Sequence, residues 1–151
     1  MIHTVGTLFG TGGPQRTYKA LNRDAAVNMA DALNSFGQQR NFVMISSEKA
    51  PPIWLMAEYQ SRKMEAEQYI IKECKFLKPS MIRPGFIVDK EHRIWSVALG
   101  AIQDLQYCIE TPMVKYLPGG KYIDFLVPAK STQLSTVAHF SILGALGQNA
   151  N

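Results

Sequence analysis

Short apolar runs of strand length alternate along this chain with longer stretches of helical period, and that alternation restricts it to a parallel sheet crossed by helices. Met1-Ile2-His3-Thr4-Val5 reads as a first strand. Residues 17–36 place Tyr18, Leu21, Ala25, Met29, Leu33 and Phe36 at helical spacing, and Gly37 stops the helix. Residues 41–46 form a second apolar run. The Pro51-Pro52 pair then forces a loop, a second helix covers about residues 57–74, and residues 79–82 form a third strand ended by Pro84-Gly85. Strands separated by helices of this length are joined by right-handed crossovers and lie parallel.

Beyond residue 90 the pattern turns helical. Apolar pairs recur from Ile94-Trp95 to Cys108-Ile109, the spacing of a core-facing helix. After Pro112 and Pro118-Gly119-Gly120, residues 122–127 read as a short strand. Ser131 is placed to cap a last helix on which Leu134, Val137, Ala138, Ile142 and Leu146 share a face. The expected fold is α/β: the second half of a doubly wound, Rossmann-like parallel sheet with C-terminal helical additions. Residues 1–130 form the partial domain, 131–146 the C-terminal helix and 147–151 a flexible tail. A three-stranded sheet of this kind begins at an exposed edge, because the half that would carry a Gly-rich phosphate loop is not in front of it. Gly10-Thr11-Gly12-Gly13 imitates such a loop, but Pro14 and Gln15 stand where it needs its third glycine.

Composition removes several function classes. With 46% hydrophobic and 19% charged residues among 151, the chain can bury one core. Its 16 basic and 12 acidic residues leave a net charge of +4 spread along the chain, which does not point to nucleic acid. His3, His92 and His139 are scattered and Cys74 and Cys108 lie far apart, so no metal site is expected and the thiols read as free and buried. No run of about 18 apolar residues is present, so the chain is peripheral to a membrane at most. No presequence or signal peptide precedes the first strand.

Within residues 42–89, Tyr59 and Lys63 stand four apart, which on a helix puts phenol and ammonium one turn apart on one face. A lysine so placed lowers the pKa of the phenol. Ser46 or Ser47, arriving from a strand end, can hold a carbonyl oxygen, and the set makes an acid/base device. A plainer reading stands beside it: Tyr59 packs under the Pro51-Pro52 loop, Lys63 is solvated in series with Glu65 and Glu67, and Ser46-Ser47 caps a turn. His3 reads as a buried strand-end histidine and His139 as a satisfied core or interface residue.

The order Ile2-His3-Thr4-Val5-Gly6, Tyr18 to Asn22, Val43-Met44-Ile45-Ser46-Ser47-Glu48-Lys49, Tyr59-Gln60-Ser61-Arg62-Lys63 and Ile82-Arg83-Pro84-Gly85-Phe86 resembles the second half of atypical short-chain dehydrogenase/reductases of the NAD-dependent epimerase type. Within them it looks most like a mitochondrial branch associated with coenzyme Q biosynthesis and, more distantly, like nucleotide-binding accessory subunits of respiratory complex I. The resemblance implies Tyr59 as acid/base, Lys63 as its partner on the nicotinamide ribose, and Ser46 or Ser47 as the substrate-orienting serine. It also implies Arg83, Pro84, Gly85 and His3 along the cofactor, and Asn22 as a polar helix residue of the extended branch.

Two functions are then expected. One is a structural or accessory subunit of a respiratory or quinone-related assembly on the matrix side of the mitochondrial inner membrane. The other is an NAD(P)-dependent oxidoreductase acting on a carbonyl or quinone-pathway substrate. NAD or NADP would be held only with a complementing half and not by this chain alone. The expected partners are other protein subunits, one of which would carry the missing nucleotide-binding half.

Overall fold

The computed structural model describes residues 1–6, 17, 19–48, 54–116 and 129–148; of residues 54–56 and 113 it describes the backbone alone. The Gly10 to Gly13 loop, Pro51-Pro52 and the strand expected over residues 122–127 lie outside these. The fold is mixed α/β. Strands β1 (Ile2–His3), β2 (Arg40–Ile45) and β3 (Leu77–Ile82) form a parallel sheet in the order β1-β2-β3, with Ile2 beside Val43 and Arg40 beside Leu77. The first strand is thus shorter than residues 1–5 and sits at an edge.

Helix α1 (Ala25–Asn34) and helix α2 (Trp54–Glu73) cover one face of the sheet, and helix α4 (Leu134–Leu146) covers the other. Strand alternation sorts the side chains accordingly. Phe42, Met44, Leu77 and Met81 point to α1 and α2, where they pack with Ala26, Ala30, Ala66 and Ile70. Val43 and Ser80 point to α4, close enough that a Cβ on Gly144 would stand 3.1 Å from each. Tyr69 and Cys74 both donate to Asp31, at 3.2 and 3.7 Å, tying α2 to α1. Burial and Asp31 push the Cys74 thiol up to about 11, so it is an inert core group.

A second parallel pair, β4 (Ile87–Val88) with β5 (Thr132–Gln133), follows, flanked by helix α3 (Ile94–Tyr116). Neither short strand stands out in the sequence, since two residues are too few to show a period. Gly85 is required where this pair begins: a Cβ there would meet the Lys130 carbonyl oxygen at 2.1 Å.

Five expectations for the C-terminal half are corrected. Ser131 does not cap α4; the cap position is Gln133, without a side-chain bond, and Ser131 instead gives its N–H and hydroxyl to Asp104 at 2.7 Å each. Helix α4 buries Val137, Ser141 and the backbone at Gly144, leaving Leu134, Ile142 and Leu146 exposed, because only small residues allow it to lie this close to the sheet. Helix α3 is inverted. Its inner side is polar or small, with Ser96, Gly100, Gln103 and Asp104, and its apolar side faces outward, with Ile94 75% and Ile102 62% exposed. It also runs through Pro112 rather than ending near residue 109. Pro112 has no N–H to offer the carbonyl of Cys108, which is exposed. The expectation of two buried thiols therefore holds for Cys74 only.

Candidate functional site

At the C-terminal ends of β1 and β2 the chain gathers a buried polar cluster. Helix α2 supplies most of it: Tyr59, Lys63 and Glu67 recur every four residues along one face. Lys63 is only 3% exposed, and its ammonium donates to the Val5 carbonyl at 3.1 Å and the Ile45 carbonyl at 3.0 Å, bridging the ends of two strands. The solvated-lysine reading is therefore overturned. Burial lowers its pKa to about 8, against the opposing pull of the Glu67 carboxylate.

Glu67, equally buried, receives Arg83 in a two-pronged pair: Nε lies 3.1 Å from both carboxylate oxygens, and Nη2 makes a shorter contact with Oε2. Burial works to raise the Glu67 pKa, but the Arg83 bonds, nearby Ser46 and the charges of Arg83 and Lys63 outweigh it and hold the group below its ordinary value. Ser46 is buried beside this carboxylate without reaching hydrogen-bond geometry. Ser47 is half-buried and gives its hydroxyl to the Glu48 carbonyl at 3.0 Å, a local turn bond.

The other wall comes from the entry to α1, where a π-helical turn spans Ala20–Asp24 and the Ala25 N–H reaches back to the Ala20 carbonyl. Its Asn22 is fully buried. A Cβ added to Gly6 would lie 2.8 Å from Asn22 Oδ1 and 3.0 Å from Lys63 Nζ, so glycine lets β1 leave the sheet between these two side chains. His3 is buried against the Phe42 ring, 6.4 Å between centroids, with Nε2 unpartnered among the described residues. Burial and then the Lys63 charge lower its pKa, keeping the imidazole neutral.

Of the residues singled out from sequence, His3, Ser46, Lys63 and Arg83 meet in this cluster. Pro84 is buried just after β3, its carbonyl accepting the Glu48 N–H at 3.0 Å, and Gly85 turns away toward β5. Tyr59 is half-buried one turn before Lys63. Its phenol pKa is raised by burial, opposite to the lowering expected from a nearby ammonium, and Lys63 is too engaged with the strand ends to act on it. His139 is exposed, edge-on to Phe140. Glu67 was missed as a site residue, although its spacing from Lys63 repeats that of Lys63 from Tyr59.

A nicotinamide dinucleotide is what the family resemblance implies here, and among the described residues of this cluster both cations are already engaged. Lys63 is bound to strand carbonyls and Arg83 to Glu67. Among the described residues no group of three or more metal-ligating side chains gathers, and no helix is long and apolar enough to cross a membrane. A cleft of about 230 Å³ lies at the opposite end of the sheet, lined by Met1, Leu33, Arg40, Asn41 and Ala145.

Comparison with known proteins finds no matching family model and no matching solved structure. The chain is similar to MIOREX complex component 2 of Saccharomyces cerevisiae, 32% identical over 91 residues that span 53% of this chain and 32% of that protein. The chain thus spans about a third of the length of this curated relative, which by its name is a component of a multi-protein complex.

Proposed function

We propose that this chain is an accessory or structural subunit of a mitochondrial multi-protein assembly, respiratory or quinone-related and on the matrix side of the inner membrane. In this reading it is half of a doubly wound short-chain dehydrogenase fold, and another polypeptide continues its sheet. The observation that carries the reading is the difference between the two sheet edges. Strand β2 donates its N–H groups to Phe76 and Ile82 carbonyls, so the even residues of β3 face β2 and Pro79 turns its donor-less nitrogen to the outer side. That edge is interrupted at its middle. On β1, Met1 exchanges bonds with Asn41 and Val43, so Ile2 turns its N–H and carbonyl outward with none of the described residues pairing there. The complex membership named for the yeast relative agrees with a subunit role.

The second reading is an NAD(P)-dependent oxidoreductase completed by that partner. It is favoured by the cluster itself: a buried lysine of depressed pKa beside a paired carboxylate at the strand C-terminal ends, where open α/β sheets bind ligands. There Tyr59 would exchange the proton, Ser46 or Ser47 would orient a carbonyl, and Lys63, Arg83, Pro84, Gly85 and His3 would line the cofactor. Native mass spectrometry of the particle purified from mitochondria through a tag on this chain separates the two readings. Co-purifying chains without a dinucleotide mass support the subunit, chains with one support the enzyme, and a free monomer overturns both.

A further inference from the structure

The inverted helix α3 carries the strongest feature that neither reading uses. At 100° per residue, its outward arc collects Ile94, Trp95, Leu99, Ile102, Leu105 and Ile109, each about half exposed or more, and bears no charge over residues 94–109. That is a strip about 24 Å long. Asp104 is turned from it and bound to Ser131, while Glu110, half-buried at its border, receives exposed Gln106 at 2.8 Å. A continuous uncharged strip of this length is larger than the scattered apolar residues an ordinary surface tolerates.

What stands at the two ends identifies the occupant. Exposed Lys90 and Arg93 precede the helix beside exposed Glu91, while Asp89 is half-buried and turned to the His92 ring at 3.3 Å, exposed Lys115 closes it, and aromatic Trp95 and Tyr116 are exposed next to these charges. Basic ends, amphipathic rings beside them and an aliphatic middle are the arrangement of a helix lying in a membrane interface, with cations at anionic headgroups. The core of a protein interface instead draws on aromatic, methionine and arginine side chains, and this strip is mainly aliphatic. We propose that the outward face of α3 docks this protein on an anionic lipid surface, with Lys90, Arg93 and Lys115 at the headgroups. The helix lies on that surface and does not cross it, consistent with its polar inner side.

Flotation of the full chain with vesicles of phosphatidylcholine, with and without phosphatidylglycerol, tests this. Retention is expected on the anionic vesicles, weakening with salt as the headgroup charges are screened. Replacing Lys90 and Arg93 together by Ala weakens retention about thirtyfold, roughly fivefold for each charge removed. Leu105→Glu abolishes it while leaving the melting temperature in circular dichroism unchanged, since Leu105 is exposed. Failure to bind anionic vesicles, or unimpaired binding by Leu105→Glu, overturns the proposal. Self-association in light scattering without lipid, dissolved by Leu105→Glu, also overturns it and assigns the strip to a second copy. None of these outcomes depends on what pairs with β1.

Discussion

Lys63 shows how far one position can be read from its neighbours. Its spacing from Tyr59 is plain in the sequence, but spacing alone could not distinguish a solvated charge from a buried one. That depends on Gly6 and Asn22, more than forty residues earlier, closing over it. Burial carries a stability consequence with a definite sign. Between the folded value of about 8 and the ordinary 10.5, the unfolded chain binds more protons at Lys63 than the folded one, so stability rises with pH across that window, by about 3 kcal/mol in all. The buried Cys74, raised to about 11 from 9.0, acts in the opposite sense above about pH 9. Urea unfolding from pH 7 to 10.5 should therefore show a rise that Lys63→Met removes, and identical pH profiles for the two proteins would contradict the buried ammonium. On the acid side, His3 and Glu67 are both lowered, so stability is lost as pH falls below their ordinary values through the folded ones.

At the scale of elements, the longer helices and strands between residues 25 and 109 were legible because each has its own period, whereas the two-residue β4 and the face of a helix that is covered were not. Periodicity names the apolar side; it does not say what lies against it. In α4 the sheet-facing line is Val137, Ser141 and Gly144, chosen for closeness, while the larger apolar residues face away. In α3 the inner contacts are hydrogen bonds that Gln103 donates to the Ala129 carbonyl and that Ser96 and Asp104 accept from the Asp89 and Ser131 N–H groups, and their polar character disguised them as a solvent face. The close approach of α4 makes a prediction. Gly144→Val should lose about 1–3 kcal/mol in denaturant unfolding, because the added carbons press on Val43 and Ser80. Ala138→Val, on the exposed side of the same helix, should lose only the few tenths due to helix propensity. Equal losses would mean that α4 does not rest on the sheet as described.

For the whole molecule, the parallel three-stranded sheet followed from the alternation of strands and helices, and so did the place of β1 at an edge of the described sheet. The interruption of the other edge by Pro79 did not, since the hydrogen-bond phase of a strand is set by its register and register is not written in a single strand. In the proposed assembly β1 is an interior strand, with its outward donor covered by a neighbouring chain. Amide hydrogen exchange at Ile2, compared between the isolated chain and the assembled particle, tests it most directly. Fast exchange is expected in the isolated chain and protection in the particle, and Ile2→Pro, which removes the outward-facing donor and leaves the β1–β2 bonds in place, should lose the partner. Equal exchange in both states, with Ile2→Pro still assembling normally, would contradict it.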